Sequence, residues 1–156
     1  MCILFKVPNS ILELNEKVKK QFPILNILIN NAGEMRKINL NESSTDINNI
    51  SGEIDINLLG PIRMIQQFLP HLKSQKSATI LNVTSGLALI PFPIAPIYVA
   101  SKSRLRSYIL SLRGQLKNTN IKGFELIAPG AKTPLNDVDR KILMNADKLI
   151  AVTIKV

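Results

Sequence analysis

The sequence predicts an α/β protein built on a doubly wound parallel sheet. Three observations predict it. Short, largely apolar runs bounded by turn residues occur at Ile24–Asn30, Ala78–Thr84 and Gly123–Ala128. Longer segments with helical spacing lie between them, and the two kinds of segment alternate along the chain. Uninterrupted apolar runs fit strands buried on both faces, as in a parallel sheet. Strands alternating with helices argue for βαβ units, whose right-handed crossovers would put helices on both faces.

Taken in order, Ile3–Val7 is a candidate first strand. Ile11, Leu14 and Val18 then mark a short amphipathic helix, with Asn9 or Ser10 available as its cap. After the run Ile24–Asn30, one apolar stripe joins Ile54, Leu58, Ile62, Ile65, Leu69 and Leu72. The run Ala78–Thr84 follows, and Leu105, Ile109, Leu112 and Leu116 form a second stripe. Beyond Gly123–Ala128 the chain becomes more polar from Thr133, and Asp147–Val156 fits either helix or strand. No repeat, low-complexity tract or linker divides the chain, so residues 1–156 read as one domain.

Composition narrows the function classes. Apolar residues make up 46% and charged residues 20%, a globular balance rather than a disordered one. A net charge of +9 invites a nucleic-acid reading. The basic residues are scattered, however, with Lys17, Lys19 and Lys20 the tightest group, and two Tyr, five Phe and no Trp supply no basic–aromatic stripe. A solvated basic surface is the better account. Cys2 has no cysteine to pair with, which suits a reducing, cytoplasmic setting, and His71 lacks the partners of a metal site. The uncharged stretch from Ser77 to Ser101 has the length of a membrane span, but Pro91, Pro93 and Pro96 would break such a helix.

The chemistry concentrates between Asn82 and Lys102, in NVTSGLALIPFPIAPIYVASK. Ser85 ends a strand-like run, where open α/β sheets place ligand groups. Tyr98 and Lys102 stand at i and i+4 and so share one helix face. A free tyrosine titrates near about 10, too high for efficient proton exchange at neutrality. A neighbouring ammonium would lower that value and make Tyr98 a general acid or base. Upstream, Asn57 sits in IDINLLGPIRM, a poor helix former beside Gly60 and Pro61. Asn30–Gly33 (NNAG) makes a small-residue turn that lets backbone approach a ligand.

With ILINNAG before it and APGAKTP after it, this pattern resembles the short-chain dehydrogenase/reductase family over nearly the whole chain. INLLGPIRM and APGAKTPL resemble the bacterial branch named after D-alanyl-transfer gene clusters. The resemblance implies a Rossmann-like fold and an NAD(P)-dependent oxidoreductase that interconverts an alcohol and a carbonyl. It implies that Ser85 orients the carbonyl, Tyr98 exchanges the proton, and Lys102 tunes Tyr98 and holds the nicotinamide ribose. Asn57 would hold a water that links the lysine to solvent. Cofactor contacts would come from Asn31, Ala32, Gly33, Tyr98, Lys102, Pro129, Gly130 and Thr133. Only Ala131 and Lys132 separate Gly130 from Thr133, one residue fewer than the family pattern. The implied partners are a small carbonyl or alcohol substrate and, in the full-length family form, a second copy. No metal, membrane or nucleic acid is implied.

One part of the family pattern is missing. The cofactor pyrophosphate is normally held by a glycine-rich turn at a helix N-terminus. The seven glycines here are well spread, and the closest two, Gly123 and Gly130, are seven positions apart. Against the family pattern the chain is therefore expected to be incomplete at its N-terminus and also at its C-terminus. The strand Ile24–Asn30 would then lie at an open sheet edge. A second function class follows: a truncated, catalytically silent chain that at most pairs with a full-length family member.

Overall fold

The computed structural model describes residues 8–41 and 47–129. The candidate strand Ile3–Val7, Gly130, Thr133 and Asp147–Val156 lie outside the described residues. Helix α1 covers Pro8–Gln21. Proline opens it well, since its fixed φ suits a first turn and its missing N–H leaves no donor unmet. Asn9 and Ser10 therefore lie inside the first turn and do not cap it. Ile11 is buried, and Leu14 and Val18 pack beside it against the core, as their spacing predicts.

Strand β1 is shorter than the apolar run implies, covering Ile27–Asn30. A turn closed by the Leu25 N–H donating to the Phe22 carbonyl (3.0 Å) takes up the first residues, and Ile24 is 84% exposed. Helix α2 (Ile47–Ile54) runs through a π-helical turn at Asp55–Leu59 into α3 (Gly60–Ser74). Strand β2 covers Ala78–Ser85, helix α4 Pro96–Leu116 and strand β3 Ile121–Ala128.

The three strands are parallel and ordered β1-β2-β3. Ile27 pairs with Thr79, Ala78 with Ile121, and Ser85 with Ala128. The order advances in one direction, so successive right-handed crossovers fall on the same side. Leu28, Ala78, Ile80 and Ile121 accordingly share one core with Phe68 and Leu72 of α3 and Leu112 and Leu116 of α4. Fully burying each leucine, isoleucine or phenylalanine among them stabilises the fold by about 1.5–3 kcal/mol. Helices on both faces are thus not seen among the described residues, because that requires the strand order to reverse. Nor is β1 buried on both faces. Ile27 and Ile29 point to the other side and are 55% and 54% exposed.

The second predicted stripe, Leu105, Ile109, Leu112 and Leu116, is fully buried. The first is only partly right. Ile65 and Leu72 are buried, but Ile54, Leu58, Ile62 and Leu69 are half-buried, while Ile56, Asn57, Met64 and Phe68 face inward. The π turn is the reason. Its extra residue rotates the helix between α2 and α3, which a uniform period of 3.6 does not anticipate.

Candidate active site

Four elements meet at the carboxyl ends of the strands. Ser85 is the last residue of β2 and is buried, and its hydroxyl oxygen accepts from the Leu87 N–H at 3.2 Å. It thereby starts the short 3₁₀ turn Gly86–Ala88 that leads the chain away from the sheet. Helix α4 begins at Pro96, which sets Tyr98 in the first turn and Lys102 one turn further in. Lys102 is only 3% exposed. Its ammonium donates to the Val83 carbonyl at 3.0 Å and lies 5.9 Å from the centre of the Tyr98 ring.

Burial in this position pushes the Lys102 ammonium down to about 8. Tyr98 moves the opposite way. Burial raises its phenol above the ordinary value, a hydrogen bond with Ser85 works against that rise, and the nearby Glu53 charge adds to it. The expected lowering of Tyr98 by Lys102 does not hold in this arrangement. Desolvation of the ring dominates, and the ammonium is directed at a backbone carbonyl instead of the phenol oxygen.

Asn57 occupies the π turn and is completely buried. The π geometry is closed by the Gly60 N–H donating to the Asp55 carbonyl, five residues back. Such single π turns recur where a helix must aim a polar side chain. Here the amide is engaged at both ends by one loop residue. Its oxygen accepts from the Glu34 N–H at 2.9 Å, and its nitrogen donates to the Glu34 carbonyl at 2.6 Å. Asn57 thus ties the loop after β1 to the helix.

That loop brings in the small-residue turn. Asn31 is exposed, Ala32 and Gly33 are half-buried, and Gly33 approaches both key side chains. A Cβ at Gly33 would stand 3.4 Å from Asn57 Oδ1 and 3.5 Å from Lys102 Nζ. Pro129 follows β3 at the same end of the sheet, beside Ala128, the partner of Ser85. Of the expected site residues, Asn57, Ser85, Tyr98, Lys102 and Gly33 are brought together. Asn31 and Ala32 precede Gly33 in the same loop, and Pro129 directly follows Ala128.

Several polar residues at this end were not read from the sequence. Asn30 donates to Asn82 Oδ1 at 2.8 Å in a buried cross-strand pair. Both occupy positions facing the helices, as the two-residue alternation of their strands would have indicated. Glu125 accepts from Thr84 Oγ1 at 2.7 Å and from Arg106 at 2.6 Å, which joins β2, β3 and α4. Glu53 is the largest omission. It is 0% exposed and stands one helical turn before Asn57. An acid at that spacing from Asn57 was the available signal. Among the described residues no cluster of three or more His, Cys, Asp or Glu gathers as a metal site would require. The Nε2 atom of His71 lies 3.0 Å from the Leu25 carbonyl and ties α3 to the turn before β1.

The chain thus combines a parallel sheet with a serine at the end of β2 and a tyrosine and lysine on the next helix. Residues 5–142 match the short chain dehydrogenase family, and the chain belongs to it. It is 38% identical over 127 residues to the uncharacterized oxidoreductase DltE of Bacillus subtilis, covering 81% of this chain and 50% of that protein. An 11-beta-hydroxysteroid dehydrogenase-like protein of Arabidopsis thaliana is 38% identical over 111 residues, covering 71% of this chain and 35% of that protein. The chain thus spans about half the length, or less, of these two relatives. The fold is shared with an alcohol dehydrogenase from the archaeon Thermococcus sibiricus complexed with 5-hydroxy-NADP. That match has a TM-score of 0.82 at 21% identity and covers 96% of this chain and 63% of that one. Among the described residues no helix is long and apolar enough to cross a membrane.

Proposed function

We propose that the chain carries the proton-exchanging end of an NAD(P)-dependent oxidoreductase that interconverts an alcohol and a carbonyl. One observation carries the reading: Ser85 at the end of β2, the Tyr98 ring and the buried ammonium of Lys102 lie together where the strands end. The residues fit the nicotinamide and ribose end of such a cofactor. Lys102 has three N–H donors, of which Val83 takes one, and Gly33 keeps the space beside it clear of a side chain. When bound, the nicotinamide supplies or takes up the hydride.

The side chains do the rest. Ser85 Oγ donates a hydrogen bond to the substrate carbonyl oxygen and fixes its position. Tyr98 Oη gives that oxygen a proton in the reducing direction, a task suited to a buried phenol that holds its proton. The Lys102 ammonium, 5.9 Å from the ring centre, opposes part of the charge left on the phenolate without bringing the phenol below its ordinary value. Asn57 holds the Gly33–Glu34 loop against the site, so the space between them keeps its shape. The Thermococcus protein is complexed with 5-hydroxy-NADP, and the family resemblance carries NAD or NADP over to this chain without a choice between them.

The reading is tested by turnover of a panel of aldehydes and ketones at millimolar NADH or NADPH. Consumption of the reduced cofactor that Ser85→Ala and Tyr98→Phe both suppress is expected. A second reading, a silent chain that acts by pairing with a family member, is favoured by the wide spacing of the glycines. For the same reason no saturable binding of either cofactor is expected at micromolar concentration. No turnover at millimolar cofactor across the panel would favour the second reading.

A further inference from the structure

Glu53 has no part in the reading above, yet it is the most unusual side chain near the site. It is 0% exposed, and among the described residues neither carboxyl oxygen has a hydrogen-bond partner. A buried carboxylate left in that state carries a large desolvation cost, which a bound proton removes. Among the described residues its charged and titratable neighbours come from the loop after β1 and from helix α4. The loop after β1 supplies Arg36, whose backbone and charge favour the anion, and Glu34, whose charge opposes it. Arg36 is already engaged with the Glu34 carboxylate. Helix α4 supplies Tyr98: Asn57 and Lys102 meet at Gly33, and Glu53 and Tyr98 each stand one turn before them on two helices that run in the same direction. In the helix that carries Glu53, Asp55 is paired with Arg63 at 3.0 Å.

We propose that Glu53 is a positioning residue that acts through Tyr98, its enclosed carboxyl group setting how firmly the phenol holds its proton. The inference rests on Tyr98 as the proton-exchanging group. While Glu53 is neutral, it adds no charge beside the ring. Once ionised, it places a negative charge near an oxygen that must itself become negative, so phenolate formation becomes harder. The groups around it agree in direction. Burial is the main cause that pushes the Glu53 acid up to about 7, and the help from Arg36 does not offset it. Glu53 therefore changes state across neutrality, in the range where a proton-exchanging site works.

The sequence makes the test unusually clean, because it contains only two tyrosines, Tyr98 and Tyr108. In a Tyr108→Phe background the near-ultraviolet tyrosinate absorbance reports Tyr98 alone. Adding Glu53→Gln is expected to lower the Tyr98 midpoint by about half a unit or more. An unchanged midpoint in a folded variant would overturn the proposal. The unsubstituted chain gives a second measurement that needs no variant at Glu53. Carbon NMR of the glutamate carboxyls is expected to show one group titrating near neutrality. If every glutamate titrates in the ordinary carboxylate range, the proposal fails. Neither readout needs turnover, so both outcomes stand apart from the success or failure of the hydride-transfer reading.

Discussion

The two ends of the same helices are built on opposite principles. Where the strands begin, α3 and α4 close over the sheet with Phe68, Leu72, Leu112 and Leu116, all buried and all apolar. Where the strands end, the same helices and the turn before α3 bury Asn57, Ser101 and Lys102 instead, with Glu53 alongside. The first end gains stability from removing apolar area from water. The second gives some of it up to hold ionisable groups away from water, and burial pushes both Lys102 and Glu53 towards their neutral forms. Stability and chemistry are therefore separated along the helix axes by about three turns.

Substitutions at the two ends should behave differently if that division is real. The largest effect is expected from Tyr98→Phe, which keeps the ring and removes the proton. Turnover should fall by about 10²–10⁴-fold, while the unfolding midpoint stays close to that of the parent. A variant that unfolds early but turns over normally would break the comparison at its most important point. Leu72→Ala, at a position that is 0% exposed, should do the reverse. It should cost about 2–5 kcal/mol in denaturant unfolding, with turnover per folded molecule unchanged.

Lys102→Met sharpens the contrast through pH. Burial holds the Lys102 ammonium at about 8, against an ordinary value of 10.5. Below the folded value the unfolded chain binds the proton more tightly, so the charge destabilises the fold, by about 3 kcal/mol at most. That cost is relieved as pH rises from about 8 towards 10.5. The methionine variant should thus be more stable than the parent at pH 7, with the gain shrinking at higher pH in thermal scans. A stability difference that does not vary with pH would mean that Lys102 is not held away from water. The smallest effect on stability is expected from Gly33→Ala. Its methyl group would sit within ordinary contact of Asn57 and Lys102, so unfolding should change by about 1 kcal/mol or less. Because the same methyl fills the space beside the Lys102 ammonium, turnover should drop by about tenfold or more.

How much of this was legible in the sequence follows the same division. The apolar end was readable because burial repeats with the period of each element: Leu105, Ile109, Leu112 and Leu116 declare one helix face. The stripe through Ile54 and Leu58 misled where the π turn breaks the period. Strand β1 was read three residues too long because Ile24 and Leu25 are apolar but belong to a turn. At the polar end, Ser85, Tyr98 and Lys102 were readable because they lie close in sequence and each has a distinct chemical task. Glu53 and the Asn30–Asn82 pair were missed, since strand alternation and the one-turn spacing from Asn57 mark which face these residues share but not that the face is buried. The direction of the Tyr98 shift was also beyond reach, because burial is a property of the assembled fold.

The π turn at Asp55–Leu59 has a consequence for how such a chain tolerates change. One surplus residue turns everything beyond it by about 100° relative to an uninterrupted helix. The segment that bears Glu53 and Asn57 and the segment that bears Met64, Ile65 and Phe68 therefore keep separate rotational settings within one continuous rod. Deleting a single residue there would merge the two settings and swing the amide away from Glu34 while leaving α3 seated on the sheet. The turn acts as a vernier, and it lets the chemistry be aimed without disturbing the packing that carries it.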